Sequence, residues 1–284
     1  MLDKISKMYE ILKSENSKDP LYETLRIVDI LSKGALRSMD LSLFDKVESN
    51  LAAMAQKRKE NMPWEYIIGR ASFMGRLFYC TQDTLIPTEE TSLLVKTAVD
   101  FITKKQEQAK DLTLIDMGTG CGNIAISIAL HSEAVKILAS DVSVAAIEVA
   151  KKNVDAFNVQ DKMSLFCGDL FAPFVEAGYH GKIDLIVSNP PYIPTSSLKN
   201  LAAEIIDYEP VVALDAGPYG INIFRRLISE SVGMLKPKGA LIFEIGIGQE
   251  KLVRRLIEKH GGYEDIKFYT HDNQIKVISA VKKL

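Results

Sequence analysis

Leu112-Thr113-Leu114-Ile115-Asp116-Met117-Gly118-Thr119-Gly120-Cys121-Gly122-Asn123 runs from an apolar, strand-like stretch straight into a glycine-rich turn. The pattern predicts a strand over 112–116, a tight turn through Gly118, Gly120 and Gly122, and a helix over 124–130. Glycine lets backbone turn sharply and approach a ligand closely. Outward from this stretch, strand-like runs at 136–140 and 183–188 alternate with a helical run at 144–153, followed by strand-like runs at 240–244, 266–269 and 276–281. Such alternation marks an α/β fold built on a parallel sheet, which binds ligands at the carboxyl ends of its strands. A dinucleotide fingerprint would place its third glycine one position later, where Asn123 stands, so a different nucleotide-like cofactor is expected.

Three more motifs fall at predicted strand ends. Asp141 lies about 20 residues past the glycines, where a carboxylate can accept hydrogen bonds from both ribose hydroxyls. The competing reading is a helix cap, a task that Ser143 could perform instead. Gly168-Asp169-Leu170-Phe171 offers a carboxylate for an adenine amino group and an apolar side chain for its face. Asn189-Pro190-Pro191-Tyr192 carries the chemistry. An amide or exocyclic amine has a delocalised lone pair, so an acceptor of this kind needs its nitrogen hydrogens engaged and its lone pair aimed at the donor. The Asn189 side-chain oxygen and the Pro190 backbone oxygen are two acceptors suited to that task. Pro191 stiffens the turn, and Tyr192 provides an aromatic face for a planar group. Alignment with a sulfonium methyl is then the main catalytic device, and no strong base is required. A proline-rich turn in which Asn189 caps nearby backbone is the plain alternative.

The amino-terminal part reads differently. Ile5, Met8 and Leu12 recur at helical spacing, as do Leu21, Leu25 and Val28, then Leu43, Phe44, Val47, Leu51 and Met54. Gly34 is expected to end the second helix. Between Pro63 and Pro87, short apolar and aromatic stretches broken by Gly69 and Gly75 suit a hairpin. The expected organisation is a helical bundle over 1–62, a β-hairpin linker over 63–87 and an α/β domain over 88–284. With 35 basic and 37 acidic residues, the formal charge of -2 provides no global field for a polyanion. No apolar run approaches a membrane span and the start is unlike a secretory signal, so a cytoplasmic enzyme is expected, without membrane or direct nucleic-acid partners. Cys80, Cys121 and Cys167 are far apart and the four histidines lack ligand spacing, so neither a metal site nor a disulfide framework is expected.

From about Pro63 to Gln249 the sequence resembles the HemK-type release-factor glutamine methyltransferases. The likeness rests on Asn189-Pro190-Pro191-Tyr192-Ile193-Pro194, on Pro63, Tyr66, Ile67, Gly69, Phe73, Gly75 and Phe78, and on Glu209-Pro210, Ala213-Leu214 and Leu235-Lys236-Pro237. The resemblance implies a class I S-adenosyl-L-methionine-dependent methyltransferase with a Rossmann-like seven-stranded sheet, a helical amino-terminal domain and a hairpin. It implies that Gly118, Thr119, Gly120, Cys121, Gly122, Asp141, Leu170 and Asn189 bind the cofactor, beside the Asp169 carboxylate already read as an adenine partner. Asn189, Pro190, Pro191 and Tyr192 would hold the glutamine of a release factor's Gly-Gly-Gln motif. Two segments depart from the pattern. Ile86-Pro87-Thr88-Glu89-Glu90-Thr91-Ser92 stands where the family reads Ile-Pro-Arg-Pro-Glu-Thr-Glu. His271-Asp272-Asn273-Gln274-Ile275-Lys276 stands in place of Ala-Gly-Arg-Asp-Arg. These departures keep open a different acceptor nitrogen, in a metabolite or a nucleobase. A third reading is a catalytically idle binding protein that keeps the fold.

Overall fold

The computed structural model describes residues 2–33, 41–107, 111–133 and 135–284. Three helices, α1 (Leu2–Ser14), α2 (Pro20–Lys33) and α3 (Leu41–Lys59), enclose a small core of Met8, Leu12, Ile27, Ile30, Phe44, Val47 and Leu51. In α2 the helically spaced Leu21 and Leu25 turn out to be exposed, while Thr24, Ile27 and Leu31 are buried. Glu23 explains the rotation, because its carboxylate is drawn inward by Arg58 Nε at 3.0 Å and by the Trp64 indole N–H. Gly34, the expected helix end, lies outside the described residues.

Arg58 also donates to Glu204 Oε1 at 2.7 Å, tying the helical part to the rest of the chain. Glu23 and Arg58 side chains are only 11% and 18% exposed, so removing the cation strands a buried carboxylate. Arg58→Ala is therefore expected to cost about 3 kcal/mol of unfolding free energy, measured by urea titration. A loss under about 1 kcal/mol would place the pair among surface ion pairs of little weight.

Helix α4 (Trp64–Ile68) ends at Gly69, whose φ of 74° is a left-handed cap. It leads into the antiparallel hairpin β1 (Arg70–Phe73) and β2 (Arg76–Tyr79). Met74 and Gly75 join the strands with φ of 47° and 71°, the double left-handed turn that matches hairpin twist. Leu77 packs on the helical core and Phe78 on the core of the large sheet. Adjacent residues of one short strand thus grip two hydrophobic clusters.

The remainder comprises α5 (Ser92–Gln106), β3 (Leu112–Met117), α6 (Asn123–His131), β4 (Val135–Asp141), α7 (Val144–Ala156), β5 (Met163–Cys167), α8 (Ala172–Glu176), β6 (Ile183–Ser188), α9 (Thr195–Leu198), α10 (Ala203–Tyr208), α11 (Asn222–Met234), β7 (Leu235–Glu244), α12 (Glu250–His260), β8 (Tyr263–His271) and β9 (Gln274–Lys282). The sheet order is β5-β4-β3-β6-β7-β9-β8. Its first five strands are parallel, and β9 runs antiparallel to both β7 and β8. Strands covered on both faces need apolar residues at nearly every position. Accordingly Leu114, Leu185 and Ile242 join the cluster under α5 and α6, while their neighbours Ile115, Ile186 and Leu241 join that under α11 and α12. This is the expected class I methyltransferase architecture. No helix among the described residues is long and apolar enough to cross a membrane.

Candidate active site

After β3 the chain continues outward to β4 and β5, then returns to β6 on the other side of β3. The crevice for a ligand opens at such a reversal. Pairing registers align the strand ends there. Met117 pairs with Ser140 on one side and Ser188 on the other, and Asp141 pairs with Cys167. Gly118, Asp141, Gly168 and Asn189 thus emerge along one edge, although they are scattered over 72 positions of sequence. They line one cavity of about 250 Å³. Residues 83–88 and the segment containing Pro210, Val212 and Ala213 supply further walls.

Gly118, Gly120 and Gly122 have φ of 71°, 54° and 84°, a region that other residues enter at a cost. A Cβ at Gly118 or Gly120 would meet no protein atom within 4 Å, so it would stand in the space these residues border. Thr119 turns inward and donates to Asp116 Oδ2 at 2.7 Å. Asp116 is fully buried, its Oδ1 has no hydrogen-bond partner among the described residues, and burial pushes its carboxyl up to about 7. Cys121 is also buried, which raises its thiol to about 12 and keeps it protonated.

Asp141 accepts from Gly120 N through one carboxylate oxygen and from Ser143 N through the other, each at 2.9 Å. Ser143 supplies the cap of α7 by accepting from Ala146 N at 3.2 Å. Asp141 is therefore not needed as the cap, and its carboxylate stands beside the glycine turn with lone pairs to spare. Leu170 lines the cavity with φ of 44°. Asp169 also borders the cavity, yet its exposed carboxylate meets Arg226 at 2.9 Å.

Asn189 donates its amide nitrogen to Thr91 Oγ1 at 3.3 Å. Asn189, Pro190 and Pro191 line the cavity, whereas Tyr192 does not. The Tyr192 ring packs against the apolar layer under α11 and α12, its hydroxyl donates to Glu244 Oε1 at 3.4 Å, and its carbonyl accepts from Gln249 Nε2 at 2.9 Å. Here the structure places Tyr192 as a brace behind the turn rather than as a face on the cavity.

The methyltransferase small domain family matches residues 93–278. The release factor glutamine methyltransferase of Bacillus cereus is 32% identical over 262 residues, covering 89% of this chain and 91% of that protein. That of Clostridium acetobutylicum is 32% identical over 263 residues, covering 91% and 90%. The chain belongs to the release factor glutamine methyltransferase family. Among solved structures, the hMettl16 catalytic domain, crystallised with an RNA hairpin, superposes with a TM-score of 0.55 at 14% identity, covering 72% of this chain and 74% of that one, a likeness of fold alone.

In this family member several residues that support the cavity carry no motif of their own. Phe243 is in register with Ser188, so Glu244 arrives beside Asn189. It accepts from Thr91 Oγ1 at 2.9 Å. Lys276 Nζ, nearly buried, meets Glu90 Oε2 at 2.6 Å, which joins the two segments that depart from the family pattern. Thr88, in the place of the family's arginine, lines the cavity and pairs its hydroxyl with that of Thr91 at 3.3 Å. Asn153 on α7 donates to Cys121 O at 2.8 Å and exchanges two bonds with the Tyr79 backbone, fastening the glycine turn to the hairpin. A polar residue amid the apolar face of α7 was the available signal for Asn153. Glu244, at the end of an apolar strand, offered the same.

Burial pushes the carboxyl of Glu244 up to about 7, and it does the same to Glu209. With Asp116, these groups keep protons in the folded state at pH values where the unfolded chain has released them. Their contribution to stability is therefore full below about pH 4 and declines as pH rises to about 7. Glu244→Gln is expected to flatten the decline of thermal midpoint between about pH 4.5 and pH 7. Parallel wild-type and variant profiles would mean that the Glu244 carboxylate is charged throughout.

Proposed function

We propose that this chain transfers a methyl group from S-adenosyl-L-methionine to the side-chain amide nitrogen of a glutamine in a peptide chain release factor. The carrying observation is the Asn189 amide and Pro190 backbone at the rim of the cavity bordered by the glycine turn. The relatives' names supply the acceptor. We read residues 1–62 as a helical domain, 63–87 as a linker and 88–284 as the catalytic domain.

The residues present fit the cofactor. Gly118 and Gly120 leave a cradle that a Cβ would fill, and Gly122, Thr119 and Cys121 hold the turn in shape. Asp141 offers acceptor capacity for ribose hydroxyls, Leu170 an apolar face, and Asp169 a carboxylate for an adenine amine if Arg226 shares it. When bound, S-adenosyl-L-methionine supplies an electrophilic methyl on a sulfonium. The chain's own task is orientation. The Asn189 carbonyl and the Pro190 carbonyl accept from the glutamine NH₂, holding its nitrogen toward the methyl donor, while Pro191 keeps the turn rigid and Tyr192 braces it from behind. Holding reactants in a near-attack geometry is worth up to roughly 7–11 kcal/mol of barrier. No side chain is required to act as a strong base, since the proton can leave after the nitrogen becomes cationic.

Incubating the protein with S-adenosyl-L-methionine and unmethylated release factor, followed by peptide mass spectrometry, tests the reading. One added methyl on the Gly-Gly-Gln glutamine is expected. Cofactor binding without transfer would move the acceptor to another nitrogen and make Thr88 and the 271–276 segment the determinants.

A further inference from the structure

We infer that Thr91 and Glu244 form a positioning relay that fixes which end of the Asn189 amide faces the cavity. The inference rests on the methyl-transfer reading of that cavity. A side-chain amide has two ends of similar shape and opposite hydrogen-bonding character, so rotating it by half a turn would replace an acceptor with a donor. Something must choose between them.

Thr91 Oγ1 has one proton and two lone pairs. Its proton goes to Glu244 Oε2 at 2.9 Å, and above about pH 7, where the Glu244 carboxyl is ionised, that carboxylate offers acceptors alone. Its lone pairs then face Asn189 Nδ2 and the Thr88 hydroxyl, each at 3.3 Å. With the Thr91 proton committed, only the NH₂ end of Asn189 can bond to this hydroxyl, and the carbonyl end is turned away from it. Neither Thr91 nor Glu244 needs to touch the reacting atoms for this.

The surroundings hold Glu244 in place from three sides. Tyr192 donates to its other oxygen at 3.4 Å, and Glu90 and Lys276 form an ion pair at 2.6 Å near it. The sheet register delivers its backbone one step beyond the residue opposite Ser188.

Thr91→Val keeps side-chain shape and removes the hydroxyl. It is expected to lower kcat about tenfold, the kinetic equivalent of one net hydrogen bond, with KM and cofactor affinity changed less than about twofold. Thr91→Ser should restore most of the rate. Side-chain ¹⁵N–¹H resonances of Asn189 report the relay independently of turnover, and both Thr91→Val and Glu244→Gln should shift them. Wild-type kcat in Thr91→Val, or Asn189 resonances unmoved by it, would overturn the relay. If the wild-type protein methylates no acceptor, the functional reading falls, and the resonances alone decide the relay.

Discussion

Asn189→Ala is expected to lower kcat roughly 100-fold while cofactor affinity changes far less, since small misplacements of reacting atoms cost about that much. The alanine removes both the carbonyl proposed to orient the acceptor nitrogen and the NH₂ that anchors to Thr91. An interaction made chiefly in the transition state shows as a fall in kcat and kcat/KM together, whereas uniform binding would raise KM alone. Pre-steady-state methyl transfer, followed with a saturating acceptor, separates the two. Equal turnover by the variant would return Asn189 to the role of a turn residue. Asn189→Asp makes a sharper control: it keeps the shape, loses the donor to Thr91 and brings a second carboxylate close to Glu244.

Asp141→Ala is expected to weaken S-adenosyl-L-methionine binding by about 1.5–3 kcal/mol, the range for charge-assisted hydrogen bonds. Calorimetric titration of the cofactor measures it. The structure adds a second contribution, because Asp141 also holds Gly120 N and Ser143 N at 2.9 Å and its loss loosens the turn. Helix α7 keeps its cap on Ser143, so the thermal midpoint should move little. Unchanged affinity would confine Asp141 to bracing the glycine turn. A large fall in stability with little effect on binding would carry the same message.

Much of the fold was legible because buried parallel strands are apolar at consecutive positions and glycine turns punctuate them. The short run at 240–244 became the much longer β7, since Lys236-Pro237-Lys238 at its start is polar and Lys238 has φ of 61°. Helix α2 was readable as a helix from Leu21, Leu25 and Val28, while its buried side proves to carry Thr24, Ile27 and Leu31. Spacing records which residues share a face, and it is silent about which face another element covers. Tyr192 illustrates the same limit, for the motif places it beside Asn189 while packing against Gly246 and the α11 and α12 layer decides where its ring goes.

The residues proposed to contact a cofactor or acceptor announce themselves by type, since a left-handed turn demands glycine and the proposed amide orientation demands Asn189 beside a stiff turn. From the sequence alone came the α/β class, the glycine turn, Asp141, the Asn189 motif and the helical start. Tertiary structure alone aligned Met117, Ser140 and Ser188 across the sheet, brought Glu244 beside Asn189 and joined Lys276 to Glu90. The reason is physical. Strand order and register arise from burying two apolar faces at once, and they bring together side chains from distant segments through contacts that no local pattern encodes.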